Sequence, residues 1–220
     1  MKEETRSQRI RSASAERRAR QKAELRRVIL DAATTLFEEH GYENFSLRQV
    51  AESIGYSATT IYLHFEDKDD LLLHVAFEGF RRFGEVMQAA YDGADGPLDR
   101  LRATGRAYLE FGLAHPVHYR LMFMQRGELL DRETPEGYES IIDAFAILTR
   151  SLSEGLEAGV IRSPQGVDVE SLGALVWSHV HGLVALAISM PKVGRDTARQ
   201  LIEPHLDILL AGLGRGAGAS

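Results

Sequence analysis

The stretch 46–71, SLRQVAESIGYSATTIYLHFEDKDDL, decides the fold of this chain. Ser46 followed three residues on by Gln49 is the pattern of a capping box, which predicts the start of a short helix. Ser57 is a second N-cap candidate and predicts another short helix. Between the two, Gly55 permits the positive φ that a sharp corner between helices often needs. Two short helices with this spacing are typical of a helix-turn-helix, whose second helix enters the major groove of DNA, although a generic helical hairpin has the same pattern.

Apolar residues at helical spacing cover the rest of the chain, and no segment shows the sustained period-two alternation that indicates strands. Proline, glycine and N-cap residues separate the apolar stripes. The predicted helices are a first one that ends at Gly41 and further ones at about 46–53, 58–64, 68–91, 97–114, 116–125, 135–158, 168–190 and 195–213. The sequence therefore predicts an all-α protein.

The composition is that of an ordinary globular protein, with 44% apolar and 26% charged residues in a chain of 220. The chain contains no cysteine, which excludes disulfides, thiolate metal sites and cysteine nucleophiles. The N-terminal residues lack the apolar stretch of a secretory signal, so we expect a cytoplasmic location.

The histidines do not form a metal site by their spacing. His179 and His181 point to different sides of a helix, and His115 and His118 straddle Pro116. No nucleophile–base pair, Walker motif or His-Glu-x-x-His motif is present either. We therefore expect neither an enzyme nor a bound cofactor or metal.

The net charge of −6 hides an asymmetry. Residues 1–30 carry ten Lys and Arg against four Glu, whereas residues 66–220 carry fifteen against twenty-three acidic residues. A basic start on an acidic chain predicts that the N-terminal end meets a polyanion. Residues 1–24 are then a flexible basic arm that either enters the minor groove of DNA or stays a solvated tail.

The chain from Val28 to Leu73 resembles the DNA-binding domain of the tetracycline-repressor (TetR) family of bacterial regulators. The matching parts are an Ala-rich helix with Leu36-Phe37 and Gly41-Tyr42, followed by Ser46-Leu47-Arg48-Gln49-Val50-Ala51, Gly55-Tyr56-Ser57, Ile61-Tyr62-Leu63-His64-Phe65, Lys68 and Leu71-Leu72. Many family members carry Lys and Gly where this chain has Ala58 and Thr59. A base preference therefore cannot be transferred to this chain.

The resemblance implies a role for each residue of the helix-turn-helix. Phosphates would be held by Tyr62, His64 and Lys68, with Thr60 on a phosphate or a base. Base edges would be read by Tyr56, Ala58 and Thr59, while Ser57 caps the recognition helix. Ser46 and Arg48 would open the preceding helix against the DNA backbone, with Arg48 in reach of a base. A place for Tyr62 in the apolar core is the competing interpretation.

The remaining two-thirds of the chain is similar to the effector-binding and dimerisation domain of the same family. Two segments, His115-Pro116 to Phe123 and Trp177 to Leu183, resemble a subgroup with a Trp-His-Gly signature. The resemblance implies a cavity for a largely apolar or aromatic effector, lined by Phe83, Met87, Tyr91, Phe111, Tyr119, Met122, Phe123, Trp177 and His181. Residues 171–191 carry no charge but contain five Ser and His, which predicts a buried interface helix rather than a membrane span.

Together these features predict a homodimer with a helix-turn-helix domain at 25–68, a helical-bundle ligand-binding and dimerisation domain at 69–213, and a flexible tail at 214–220. The implied function is that of a ligand-responsive transcriptional repressor, released from a palindromic operator by a small-molecule effector. The alternative is a protein that sequesters a small molecule and retains a vestigial helix-turn-helix.

Overall fold

The computed structural model describes residues 6–124, 135–190 and 192–214. Within this part of the chain the regular structure is helical and there is no strand, which confirms the predicted all-α fold. Its nine helices, numbered in chain order, are α1 (Arg6–His40), α2 (Leu47–Ser53), α3 (Ala58–Tyr62), α4 (Lys68–Asp92), α5 (Pro97–Ala114), α6 (Pro116–Phe123), α7 (Pro135–Glu157), α8 (Val169–Ser189) and α9 (Gly194–Leu213).

Two compact units divide the chain, residues 1–75 and 76–220, and the division falls within α4. The limits 25–68 and 69–213 for the functional domains stay predictions. Most of the predicted tail, residues 215–220, lies outside the described residues.

The first helix begins earlier than the sequence predicts. A flexible arm is expected over residues 1–24, whereas the chain is helical from Arg6 onward. Residues 1–5 lie outside the described part. From Arg6 to His40 there is no glycine or proline, and Arg, Ala, Glu and Gln, which have high helix propensity, are frequent. The basic segment is therefore continuous with the first helix of the helix-turn-helix unit.

The N-terminal unit has an apolar core to which each of its helices contributes. Ile29 of α1, Val50 of α2 and Ile61 of α3 are fully buried, and Phe65 and Leu71 complete the core. Burial of these side chains stabilises the unit by removing apolar surface from water. This core fixes which face of the short helix α3 points to solvent.

The second unit is a helical bundle in which α8 packs against α5, α7 and α9. The approach of α5 to α8 is close at Gly112, where a Cβ atom would overlap the side chain of Val184. By length and composition alone, α8 could cross a membrane. Several of its side chains, Val176 and Val184 among them, are buried against the neighbouring helices, whereas Leu175 and Leu186 are exposed.

Candidate DNA-binding surface and ligand cavity

The turn between α2 and α3 has the geometry that the sequence predicts. Gly55 has a φ of +72°, which is unfavourable for any residue with a side chain. The backbone N–H of Tyr56 donates to the carbonyl of Ala51 at 2.9 Å and closes the corner. Ser57 caps α3, because its Oγ accepts from the backbone N–H of Thr60 at 3.2 Å. These contacts fix α3 in its position after α2.

The outer face of α3 is open to solvent and carries the residues predicted to meet DNA. Tyr62 is 58% exposed and Tyr56 is 47% exposed, so neither belongs to the apolar core. Thr59 and Arg48 are also exposed, and Ala58 is half-buried. Exposed aromatic rings beside hydroxyl groups and a guanidinium suit contact with phosphates and base edges.

Three hydroxyl groups near this face are already engaged within the protein. Ser57 Oγ and Thr60 Oγ1 lie 2.9 Å apart and share a hydrogen bond. Ser46 Oγ accepts from the backbone N–H of Gln49 at 3.3 Å and donates to its Oε1 at 2.8 Å. The Gln49 side chain thus bonds the hydroxyl rather than the backbone N–H that a full capping box uses. The first role of Ser46 and Ser57 is to cap α2 and α3.

His64, two residues beyond α3, is half-buried, and its Nδ1 is buried without a hydrogen-bond partner among the described residues. Burial lowers the pKa of His64, and the nearby cations of Lys22 and Arg26 lower it further. The imidazole is therefore neutral near pH 7, and only its Nε2 remains to donate to a phosphate.

Lys68, the first residue of α4, is held by a neighbouring loop. Its Nζ donates to the carbonyl of Tyr42 at 3.2 Å and lies 3.9 Å from the centre of the Tyr42 ring. The N-terminus of α4 already has carboxylate partners, since Asp67 Oδ1 accepts from the backbone N–H of Asp70 at 2.8 Å. An acidic side chain thus already occupies the N-terminus of α4, and any phosphate would be bound by the ammonium group of Lys68 itself.

The second unit contains an apolar cavity of about 460 Å³, within the usual range for small-molecule sites. Five of the side chains predicted to line it do so, namely Phe83, Met87, Met122, Phe123 and Trp177. Among the described lining residues none is charged, and the polar ones are Thr104, Tyr108 and Trp177. The hydroxyl of Thr104 donates within its own helix, to the carbonyl of Arg100 at 2.8 Å. The cavity therefore suits an apolar ligand.

Four of the predicted lining residues do not contact the cavity. Tyr91 hydrogen-bonds to Glu154, and Arg100 stacks on its ring. Phe111 packs edge-to-face behind Phe83, with ring centroids 5.2 Å apart. The remaining two are Tyr119 and His181, which belong to a polar cluster behind the cavity wall. The helical spacing of these four residues indicates that they lie on an inward face. It does not indicate whether each side chain reaches the cavity.

The polar cluster joins four side chains at the cavity wall. Trp177 Nε1 donates to the hydroxyl of Tyr108 at 2.9 Å, and Tyr108 and Tyr119 share a hydrogen bond at 3.1 Å. Tyr119 Oη lies 2.6 Å from His181 Nδ1. Burial raises the pKa of Tyr108 to about 12, raises that of Tyr119 as well, and lowers that of His181. With both phenols protonated and the imidazole neutral, the indole N–H, both hydroxyls and His181 Nδ1 all find partners within the cluster.

Several lining residues were missed by the sequence reasoning. On α5, Leu101, Thr104, Gly105 and Tyr108 follow the i, i+3, i+4, i+7 spacing of one helix face, a signal that would have found them. Contributions also come from Phe145 and Leu148 of α7, Val180 of α8 and Leu206 of α9. Among the described residues, no group of three or more His, Asp or Glu side chains could hold a metal ion.

Two family models match the chain over most of its length. Residues 29–75 match the model described as bacterial regulatory proteins, tetR family. Residues 101–209 match the model described as tetracyclin repressor-like, C-terminal domain. The subgroup with a Trp-His-Gly signature stays a prediction.

Individual proteins are similar to the chain over different spans. The HTH-type transcriptional repressor AcnR of Corynebacterium diphtheriae is 42% identical over 62 residues, which are 28% of this chain and 33% of that protein. The match thus spans about a third of the length of this curated relative. A protein of unknown function from Rhodococcus sp. RHA1 is similar in structure, with a TM-score of 0.70 and 26% identity over 87% of this chain and 95% of that one.

The fold is also that of the transcriptional regulator FadR from Bacillus subtilis, solved in complex with stearoyl-CoA. The TM-score is 0.70 at 20% identity, over 84% of this chain and 98% of that chain. At this level of identity the similarity concerns the fold.

Proposed function

Because the chain belongs to the tetracycline-repressor (TetR) family of bacterial regulatory proteins, we propose that it is a ligand-responsive transcriptional repressor that acts in the cytoplasm. The observation that carries the proposal is the solvent-facing side of α3, held after a capped α2 and the Gly55 corner. A ligand-responsive repressor also needs a binding site for its effector, and the apolar cavity in the second unit can provide it. A regulator of this kind carries out no catalysis.

On DNA, α3 enters the major groove of each half-site. Tyr56, Ala58 and Thr59 meet base edges, where a methyl group can touch thymine. Tyr62 and Lys68 hold phosphates, and these contacts set the position of α3 without reading sequence. The exposure of both tyrosine rings supports these roles.

The effector is an amphiphile whose long apolar part fills the cavity, as an acyl chain does. The described lining side chains carry no charge, and the hydroxyls of Thr104 and Tyr108 are engaged within the protein. An acyl chain gains from leaving water without needing polar partners. The stearoyl-CoA bound to FadR of Bacillus subtilis supports this ligand class for a cavity in the same fold.

The protein acts as a homodimer through α8 and α9. Leu175 and Leu186 of α8 are about half exposed, at 52% and 47%, and Ile208 of α9 is 74% exposed. Together with Leu201 these side chains leave a run of apolar surface on the two helices. A second copy that covers this run gives a two-fold dimer, and its two recognition helices meet a palindromic site.

The test is selection of bound duplexes from a random-sequence library, followed by titration of the recovered duplex. We expect an enriched palindrome whose affinity falls steeply with salt. Stearoyl-CoA then releases the protein from this duplex, whereas coenzyme A alone, the matched control without the acyl chain, does not. Recovery of no preferred sequence would overturn the proposal, and stearoyl-CoA binding without DNA binding would favour the sequestering protein.

The same duplex tests coupling between the two sites. The helix α4 contains Lys68 as well as Phe83 and Met87, so one helix includes residues of both proposed sites. Linkage requires that DNA weaken effector binding by the same factor by which the effector weakens DNA binding. A coupling of about 1–3 kcal/mol is typical of such proteins. Equal effector affinity with and without the duplex would show that the sites are uncoupled.

A further inference from the structure

Residues 15–24 of α1 precede the helix-turn-helix core and have no buried side chain. The second half of α1 buries Ile29, Ala33 and Phe37 in the core of the N-terminal unit. Residues 15–24, by contrast, are all exposed. An exposed, highly charged helix gains nothing from packing, so its surface is free for an external partner.

One face of this exposed segment is cationic. Arg18, Lys22 and Arg26 follow one another at intervals of four residues and therefore form a single stripe along the helix. Farther along α1 the same face carries Ile29 and Ala33, which point into the core. The face that is apolar inside the unit thus becomes basic where the helix leaves the core.

The stripe ends beside the recognition helix. Arg26 Nη1 donates to the carbonyl of His64 at 3.3 Å, and its guanidinium lies 4.6 Å from the centre of the Phe65 ring. His64 follows α3 by two residues. Lys22 is close enough to act electrostatically on the same imidazole, whose pKa it lowers together with Arg26. The positive charges of Lys22 and Arg26 on α1 therefore lie beside the end of α3.

The two faces of the segment differ in how their charges are neutralised. The far face carries Arg17, Arg20 and Arg27, of which Arg20 pairs with Glu16 at 3.9 Å and Arg27 pairs with Asp31 at 4.0 Å. For Arg18 and Lys22, no ion pair with a carboxylate is found in the described part of the chain. The stripe thus presents uncompensated positive charge, which a polyanion would complement.

We propose that Arg18 and Lys22, next to the anchored Arg26, form a phosphate-binding extension of the DNA-binding surface and hold the duplex backbone beside the half-site that α3 reads. This inference rests on the proposed function and deepens it. From residue 18 to residue 26 the helix rises about 12 Å. Duplex DNA carries one phosphate charge per roughly 1.7 Å of its axis, so phosphates are in reach along the whole stripe.

The test compares two double variants that lose the same charge. R18Q/K22Q removes the stripe, and R17Q/R20Q removes two arginines from the far face as the matched control. All four side chains are exposed, so both variants should keep the wild-type melting temperature and far-ultraviolet circular dichroism. The probe is a duplex recovered by the wild type from a random-sequence library, titrated by fluorescence anisotropy between about 50 and 200 mM salt.

Each phosphate contact contributes a slope of about −0.9 to the dependence of log affinity on log salt. Because the dimer carries the stripe twice, R18Q/K22Q should flatten the slope by about 3.6, so the fourfold rise in salt weakens the wild type about 150-fold more than this variant. R17Q/R20Q should keep a slope near that of the wild type. The sequence preference should stay the same in both variants, because phosphate contacts carry no sequence information.

Equal slopes for the two variants would overturn the inference, because the basic segment would then act only through its overall charge. A wild type that selects no duplex at all would instead refute the proposed function. The two failures are distinguishable, since the first leaves specific DNA binding by the wild type intact.

Discussion

The hydroxyl of Tyr119 lies 2.6 Å from Nδ1 of His181, and the two rings are stacked with their centroids 5.5 Å apart. Burial lowers the pKa of the imidazole and keeps it neutral, so Nδ1 can accept a hydrogen bond from the phenol of Tyr119. The hydroxyl of Tyr108 lies 3.2 Å from the same nitrogen and also accepts a hydrogen bond from Trp177 Nε1. A connected set of hydrogen bonds thus supports the wall of an otherwise apolar cavity.

This arrangement predicts an order of stability for two conservative variants. Tyr108→Phe should destabilise the protein by about 1–3 kcal/mol, because it leaves Trp177 Nε1 without its acceptor. Tyr119→Phe should cost less, since the Tyr108 hydroxyl can donate to His181 Nδ1 in its place. Urea denaturation measures both values. The exposed Tyr62→Phe is the control and should stay within about 0.5 kcal/mol of the wild type. The reverse order would contradict the hydrogen-bond assignment.

The buried imidazole of His181 also predicts a pH dependence. Its folded pKa lies below the ordinary value of 6.5, so the unfolded chain binds a proton first as the pH falls. The free energy of unfolding should therefore decrease as the pH is lowered through about 6.5. The slope of the unfolding free energy against pH measures the proton uptake on unfolding. This uptake should be smaller in His181→Gln than in the wild type, by at most one proton. His40→Gln, in the N-terminal unit and exposed, serves as control. An unchanged slope in His181→Gln would refute this role.

Much of the fold could be predicted because the residues that begin and end helices have local physical causes. Pro97, Pro116 and Pro135 each begin a helix at the predicted position, because proline suits the first turn. Gly41 directly follows the last residue of α1, and Gly55 adopts the positive φ expected of it. These signals act over a few residues and need no knowledge of tertiary packing.

The start of α1 and the depth of the cavity could not be predicted in the same way. Charge composition indicates a solvated segment before Arg26 but does not show whether it is helical. In residues 6–24 the high helix propensity of the side chains makes it helical. Tyr119 and Phe123 share a helix face, yet Phe123 lines the cavity and Tyr119 ends in a polar cluster. Which of two neighbours reaches the cavity depends on the opposite helices, and periodicity in one segment does not encode them.

Filling the cavity should separate effector response from DNA binding. Val180 is buried on α8 and lines the cavity, so the larger side chain of Val180→Phe extends into empty volume. We expect stearoyl-CoA affinity to fall at least tenfold while the affinity for the selected duplex stays within twofold, which yields a repressor that is not released. Val86→Phe, on a position of α4 that is 40% exposed, is the size-matched control. Wild-type release by stearoyl-CoA in Val180→Phe would show that the effector binds elsewhere.

Lys68 should contribute to DNA affinity by charge alone. Lys68→Met removes the ammonium group and keeps most of the aliphatic chain that packs on Tyr42. Because the dimer carries Lys68 twice, the salt slope should flatten by about 1.8, so a fourfold rise in salt weakens the wild type about twelve-fold more than the variant, equally for every duplex sequence. Thr59→Val should instead change the preferred sequence. Lys192→Met, with the same loss of charge in the second unit, should leave the slope unchanged. If the salt slope of Lys68→Met equals that of the wild type, Lys68 contacts Tyr42 but does not bind a phosphate.

The apolar run on α8 and α9 predicts the assembly state and how to disrupt it. Leu209 looks like an interface residue from its spacing, but it is only 9% exposed and lines the cavity, so a charge there would damage the core. Gly182 and Ile208 are better positions. A Cβ atom at Gly182 would have nothing within 4 Å, and Ile208 is 74% exposed. Gly182→Glu and Ile208→Glu should therefore fold but place a charge in the interface.

We expect sedimentation equilibrium at micromolar concentration to give a dimer for the wild type and monomers for both variants. The monomers should bind the palindromic duplex at least a hundredfold more weakly, because each half-site must then be occupied independently, while their affinity for stearoyl-CoA is retained. Val86→Glu, which introduces the same charge at a partly exposed position of α4, should remain a dimer. A monomeric wild type at this concentration, or dimers in all three variants, would exclude α8 and α9 as the dimer interface.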